Sequence, residues 1–239
     1  MNQIVSFLLN NLNSDSKDFV IIIVSKCLRK LSQESKYLEI ILVWENFDLI
    51  YSNTRSHKFI LLQECFSTIS YFFESLKVDK DIVIKFLESK EKEFSKATNF
   101  MLGYSGDTRK IDKECIEDDF YLLKRETLIL LEKILMNSIY EKFTLSYTNR
   151  IENLKSIMIQ LNNKCLKIVF QAVDILHYFF VDVELKSRGI KLLLHNNKKK
   201  FYEFFEKHEN FFLEDSEMSY KKSFILYELE RLENYLEEA

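Results

Sequence analysis

NRIENLKSIMIQLNNKCLKIVFQAVDILHYFFVD, residues 149–182, decides how this chain folds. A short amphipathic segment runs into an Asn162-Asn163 break, and a long apolar helix follows. In that helix Leu166, Val169, Phe170, Val173, Leu176 and Phe180 recur at i, i+3, i+4 and i+7, the spacing of one helical face. Ile168, Ala172, Ile175 and Phe179 make a second apolar face, which leaves Lys164, Lys167, Gln171, Asp174 and Tyr178 as the polar stripe. A helix with two apolar faces needs neighbours on both sides, so its place is interior. Helix, tight break and buried helix form one unit of a stacked helical repeat.

The totals agree with an all-α, HEAT/armadillo-like helical-repeat solenoid. The chain has 239 residues, 47% hydrophobic and 30% charged, enough for a sizeable core. It has no proline and three glycines, where average usage is about 5% and 7%. Neither residue suits a helix interior, although plentiful Lys, Asn, Ile, Phe and Tyr give an AT-rich genome a share in that bias. A net charge of −3 gives no push toward nucleic acid or anionic membrane. Cys27, Cys65, Cys115 and Cys165 form no C-x-x-C pair. Cys27, Cys65 and Cys165 fit helical patterns as small core residues of a reducing compartment. The N-terminal stretch lacks the basic and small-residue features of a secretory signal, and the apolar run Phe19–Val24 is too short to span a bilayer. A cytoplasmic location is expected.

Taken in order, helices are expected over 3–12, from Ser16 or Asp18 to Leu31, over Lys36–Tyr51 around Trp44, and over His57–Leu76. The next starts at Asp79 or Asp81 and runs to Phe94 or Leu102, with Glu88, Lys90, Glu91, Lys92 and Glu93 as a solvated face. Residues 103–119 hold two of the glycines and read as a flexible insertion. Phe120–Asn137, Tyr140–Thr148, the central pair, Glu184–His195 and Lys199–His208 continue the series. Asp215–Glu238 closes it as a capping helix, with Ile225, Leu229, Leu232 and Leu236 along one seam. Helix pairs recurring about every 40 residues match HEAT or armadillo units within one domain, residues 1–239.

No catalytic constellation is present: no Gly-rich phosphate loop, no G-x-S-x-G and no H-E-x-x-H. His57, His177, His195 and His208 are isolated in sequence, and His177 reads as a packed core residue. Glu114, Glu117, Asp118 and Asp119 lack the alternating ligands and central glycine of an EF-hand loop. Lys198-Lys199-Lys200 is too short for a nucleic-acid footprint and reads as a solvated helix start. No catalysis, metal or cofactor is expected, and the sequence fixes no oligomeric state.

The central stretch, with LLKRETLILLEKIL (residues 122–135) before it and LKSRGIKLLLHNNKKKFYEFFEKH (residues 185–208) after it, resembles the morula protein 25 family, also called calcium-binding protein 39. The likeness runs from about Cys27 to His208 and is best over Tyr121–His195. It implies a non-catalytic scaffold whose concave face cradles and helps to activate a protein kinase or pseudokinase of the germinal-centre (STE20-like) class. It also implies a pocket near the C-terminal repeats for a Trp-Glu-Phe tail. Two aromatic anchors need apolar slots, and an acidic tail needs a cation at the rim. By this resemblance Met158 is a pocket methionine; without it, Met158 reads as core. Arg125 matches a basic residue associated with kinase contact. Asn162 replaces a family arginine, and His195, mostly neutral at pH 7, stands where the family has a lysine. Lys191 or Lys198 is then expected to restore the cation. The family carries further N-terminal repeats, so the chain reads as a shortened member. The readings that compete are an adaptor for an unrelated peptide and an enzyme built on dispersed His and Cys residues.

Overall fold

The computed structural model describes residues 2–104 and 121–237, and every regular element among them is helical. Helices α1 (Asn2–Asn11) and α2 (Asp18–Leu31) form an opening pair. The first full unit is α3 (Ser35–Ile41), α4 (Trp44–Asn53) and α5 (Phe59–Glu74). The second is α6 (Lys80–Ser89), α7 (Glu91–Met101) and α8 (Tyr121–Met136), and the third is α9 (Glu141–Thr148), α10 (Ile151–Gln160) and α11 (Leu166–Phe180). The last unit contains α12 (Arg188–Asn196), α13 (Lys198–Lys207), the short α14 (Glu209–Glu214) and α15 (Ser216–Glu237). Helices α2, α5, α8, α11 and α15 pack one on the next as a continuous layer, and α3, α6 and α9 also follow one another. The all-α helical-repeat class therefore holds.

The repeat is a triplet and not the expected pair, because two segments read as single helices each break. Lys36–Tyr51 breaks at Leu42-Val43. There Val43 is extended and the Asn46 side chain donates to the Ile40 carbonyl at 2.7 Å, satisfying an end of α3. Trp44 opens α4, half-buried against Phe47 and Phe86. The segment from Asp79 turns on the single residue Lys90 (φ −113°, ψ 20°). Asp79 caps α6 by accepting the Asp81 amide, as the sequence suggests.

The Lys90 corner also corrects the reading of Glu91. It does not lie on a solvated face; its side chain is only 6% exposed. It accepts Arg150 Nε at 2.6 Å, Arg150 Nη2 at 2.5 Å and the Ser95 hydroxyl at 2.8 Å. Asn153 extends the network, donating to Ser95 Oγ and to the Tyr147 carbonyl while accepting from Asn99. A run of buried polar groups thus joins α7 to α10. On its apolar side, Phe94 meets Phe73 and Phe143 edge to face, and the Tyr140 hydroxyl donates to the Phe73 carbonyl at 2.7 Å. These rings cross unit boundaries, so burial ties each repeat to its neighbour. Each ring contributes about 1.5–3 kcal/mol.

Helix α11 is interior, packed against α8, α10 and α15. Its first turn is the exception, since Leu166 is 51% exposed. At the opposite end of the layer α2 packs on α5, and Phe19, Ile23 and Cys27 are exposed. Their i, i+4, i+8 spacing puts them on one stripe, so Cys27 is not the core thiol the pattern suggests. Gly103 belongs to the end of α7. At φ 80° it lets its own amide reach Phe100 O and the Tyr104 amide reach Asn99 O, a Schellman closure. Residues 105–119 of the expected insertion, with the acidic cluster and Cys115, lie outside the described residues.

Helix α15 covers the polar stripe of α11. Ile225, Leu229 and Leu232 are buried, Leu236 half-buried, and Lys221 Nζ lies 2.6 Å from Asp174. Burial pushes the Asp174 carboxyl up to about 6 against the pull of Lys221. Burial, then Lys221, pushes half-buried His177, 4.8 Å from the Phe224 ring, down to about 4. The two act oppositely on acid stability. Between about pH 6.5 and 4 an unfolded His177 takes a proton that the folded one refuses, so falling pH destabilises the fold. Asp174 takes its proton near 6 when folded and near 3.8 when unfolded, so falling pH stabilises it. His177→Phe removes the first effect alone. Urea midpoints at pH 7.5 and 5 should shift in the variant's favour as pH falls. Identical pH dependence in both proteins would remove His177 from the balance.

Candidate functional site

The end of α10 is held by Gln160, whose side-chain amide donates to the Leu102 carbonyl at 2.7 Å. After the Asn162-Asn163 turn, Asn163 Oδ1 accepts the Cys165 amide at 2.9 Å and sets the extended residue from which α11 starts. At the other end of α10, its first residue Ile151 meets α12 closely at Gly189, where an added Cβ would sit 2.7 Å from Ile151 Cδ1. Between the α10–α11 corner and α13 lies a cleft of about 850 Å³.

Its apolar lining is Tyr104, Met158, Ile159, Leu161, Leu166, Leu193, Phe201 and Phe204. Lys155, Lys164, Lys200 and Lys207 supply its cations, and none of the four forms an ion pair with another described residue. The acid among the lining residues, Glu203, lies 3.7 Å from Lys199. His208 closes one end against Phe204 and Phe170, and burial lowers its pKa. Apolar slots beside lysines that have no ion-pair partner among the described residues suit the binding of an aromatic, anionic chain.

Of the residues singled out from sequence, the structure brings Met158, half-buried, and Asn162, exposed, into this cleft. The others stand elsewhere. Lys191 is buried, and its ammonium donates to the Glu184 and Tyr235 carbonyls at 3.3 and 3.4 Å. His195 Nε2 and Lys198 Nζ lie 3.6 and 3.3 Å from one Glu233 oxygen of α15. One turn apart on α12, Lys191 and His195 share a face, and that face meets α15. The rim cations of this cleft are therefore not Lys191, His195 or Lys198. Arg125 sits on α8 beside Glu126 at 2.6 Å, away from the cleft.

Sequence reasoning missed Lys155, Lys164, Leu166, Lys200, Phe204, Lys207 and His208. A signal was present on α13, where Lys200, Phe204, Lys207 and His208 recur at i, i+4, i+7 and i+8 as one mixed aromatic–basic stripe.

A family model described as Mo25-like matches residues 1–233. A Mo25-like protein of Schizosaccharomyces pombe is 26% identical over 206 residues, covering 86% of this chain and 57% of that protein. The degreening-related gene dee76 protein of Auxenochlorella protothecoides is 23% identical over 183 residues, covering 77% and 51%. The chain thus spans just over half the length of these curated relatives. Among solved structures, a designed armadillo repeat protein in complex with a (KR)4 peptide aligns over 93% of this chain and 98% of its own, at TM-score 0.40 and 10% identity. No helix among the described residues is long and apolar enough to cross a membrane. With a family model matched over nearly its whole length, the chain belongs to the Mo25-like family, the morula protein 25 group that its sequence resembles.

Proposed function

We propose that this protein is a non-catalytic, cytoplasmic scaffold that binds and helps to activate a protein kinase or pseudokinase of the germinal-centre class. It grips an aromatic–acidic C-terminal tail of the Trp-Glu-Phe kind in the cleft between α10 and α13. Family membership supports the scaffold role. The observation that carries the tail is the pairing, in one cleft, of an apolar lining that includes Met158 with four lysines lacking ion-pair partners among the described residues. Activation needs no chemistry in the scaffold. A scaffold that binds only the active arrangement of a kinase shifts its population toward that arrangement. Arg125, on the continuous layer of long helices, is the residue offered for contact with the kinase domain.

One observation favours a second reading within the same class. Asn162 stands in the cleft where the resemblance implies an arginine, and the cations around it come from other positions. A tail differing from Trp-Glu-Phe, on a partner that is not a kinase, fits that change.

Fluorescence anisotropy of a labelled peptide ending in Trp-Glu-Phe, titrated with wild type and Met158→Ala, tests the reading. Saturable binding by wild type, weakened about tenfold by the variant, is expected for loss of one buried anchor contact. A folded wild type that does not bind contradicts it.

A further inference from the structure

The end of the stack formed by α1 and α2 carries an apolar patch that no described helix covers. Helix α2 packs on α5 and buries Ile21, Val24 and Leu28. Helix α1 packs on α2, α3 and α4 and buries Val5, Leu8 and Leu9. The opposite sides of both helices therefore look away from the stack. On them stand Ile4 and Phe7 of α1, 51% and 66% exposed, and Phe19 and Ile23 of α2, 59% and 55% exposed, with Cys27 one turn further on. Together they expose on the order of 400 Å², the size of the largest patch on a typical monomer and often a functional one. A stable interface covers about 800 Å² on each partner and is more than half apolar. This patch supplies such an apolar centre, with exposed Gln3, Asn10, Lys26 and Lys30 as its polar rim.

Charge decides how such a face can meet its own copy. Lys26 and Lys30 flank the C-terminal half of the stripe, so a parallel pairing of α2 with α2 sets each lysine beside its twin. An antiparallel pairing about Ile23 moves the two Lys30 residues about 21 Å apart along the helices. It brings each toward Asp15 and Ser16 of the other copy, just ahead of α2. Asp18 at that end is already held by Lys58 at 3.0 Å, and Lys17 is a like charge there, so the gain from Asp15 is modest. In the same register Phe19 lies over Cys27 of the other copy, large against small, and Ile23 meets itself. We propose that this face binds a second copy of the chain, α2 against α2, antiparallel across a two-fold axis near Ile23. The contact is isologous, so it closes at two copies. The cleft between α10 and α13 lies in later units of the stack and stays open in each copy.

Sedimentation equilibrium of the full chain tests this. From about 1 to 100 µM the mass should rise from 28.7 kDa toward twice that value, with no larger species. Phe19→Glu/Ile23→Glu should stay at the single mass throughout, with unchanged helix content by circular dichroism, because both side chains lie at the surface. Alkylation of Cys27, followed by peptide mass, should slow at high concentration in wild type and not in that variant. Asp15→Lys and Lys30→Glu should each weaken association about two- to fivefold, and together restore it. A wild type that keeps the single mass up to about 100 µM overturns the proposal. A dimer that survives in Phe19→Glu/Ile23→Glu, or one in which Cys27 reacts as fast as in the monomer, overturns the choice of face. A double charge variant no tighter than either single one overturns the antiparallel arrangement.

Discussion

Phe170→Ala should lower the unfolding free energy by about 3–5 kcal/mol, the range for truncating a buried phenylalanine. Phe170 keeps only 7% of its surface exposed. Its ring lies parallel to Phe211 within 5° and meets Phe212 and His208 edge to face. Truncation removes the ring that joins α11 to α14 and leaves a cavity that side chains from two helices cannot both fill. Because His208 and Phe204 beside it line the cleft, the same change should also weaken tail binding. Urea denaturation measures the first effect; a loss below about 1 kcal/mol would contradict the interior placement of α11.

Arg150→Ala should cost about 3 kcal/mol, the low end for stranding one partner of a buried ion pair, because 31% of the Arg150 side chain reaches water. Among the described residues, the variant leaves buried Glu91 with Ser95 as its side-chain donor. The loss is chiefly desolvation of an uncompensated carboxylate. The double variant Arg150→Met/Glu91→Met removes that charge, so it should be more stable than Arg150→Ala alone. A double variant as unstable as the single one would show that packing, not the stranded charge, sets the cost.

How far the sequence could be read depended on the kind of signal. Helix α11 was legible because two apolar faces at helical spacing allow one physical solution, a helix with neighbours on both sides. The triplet unit was not legible. IILVW reads as continuous helix, and the break at Val43 depends on Asn46 reaching back to Ile40. Glu91 looked solvated among charged neighbours, since its burial depends on Arg150, 59 residues away. The cleft was half legible. The resemblance supplied Met158 and Asn162, whereas Lys191 and His195 were assigned to a rim that the rotation of α12 toward α15 denies them. The lysine pattern of α13 was visible, but its meaning required knowing which lysines α15 would neutralise.

Photo-crosslinking shows directly whether the tail sits between α10 and α13. A Trp-Glu-Phe peptide with a photoreactive analogue in place of its phenylalanine is bound to the full chain, irradiated, and mapped by mass spectrometry. Attachment is expected within residues 155–166 or 193–208, competed away by unlabelled peptide and reduced by Met158→Ala. Attachment concentrated on α5 or α8, or labelling no greater than that of a scrambled peptide, would contradict it.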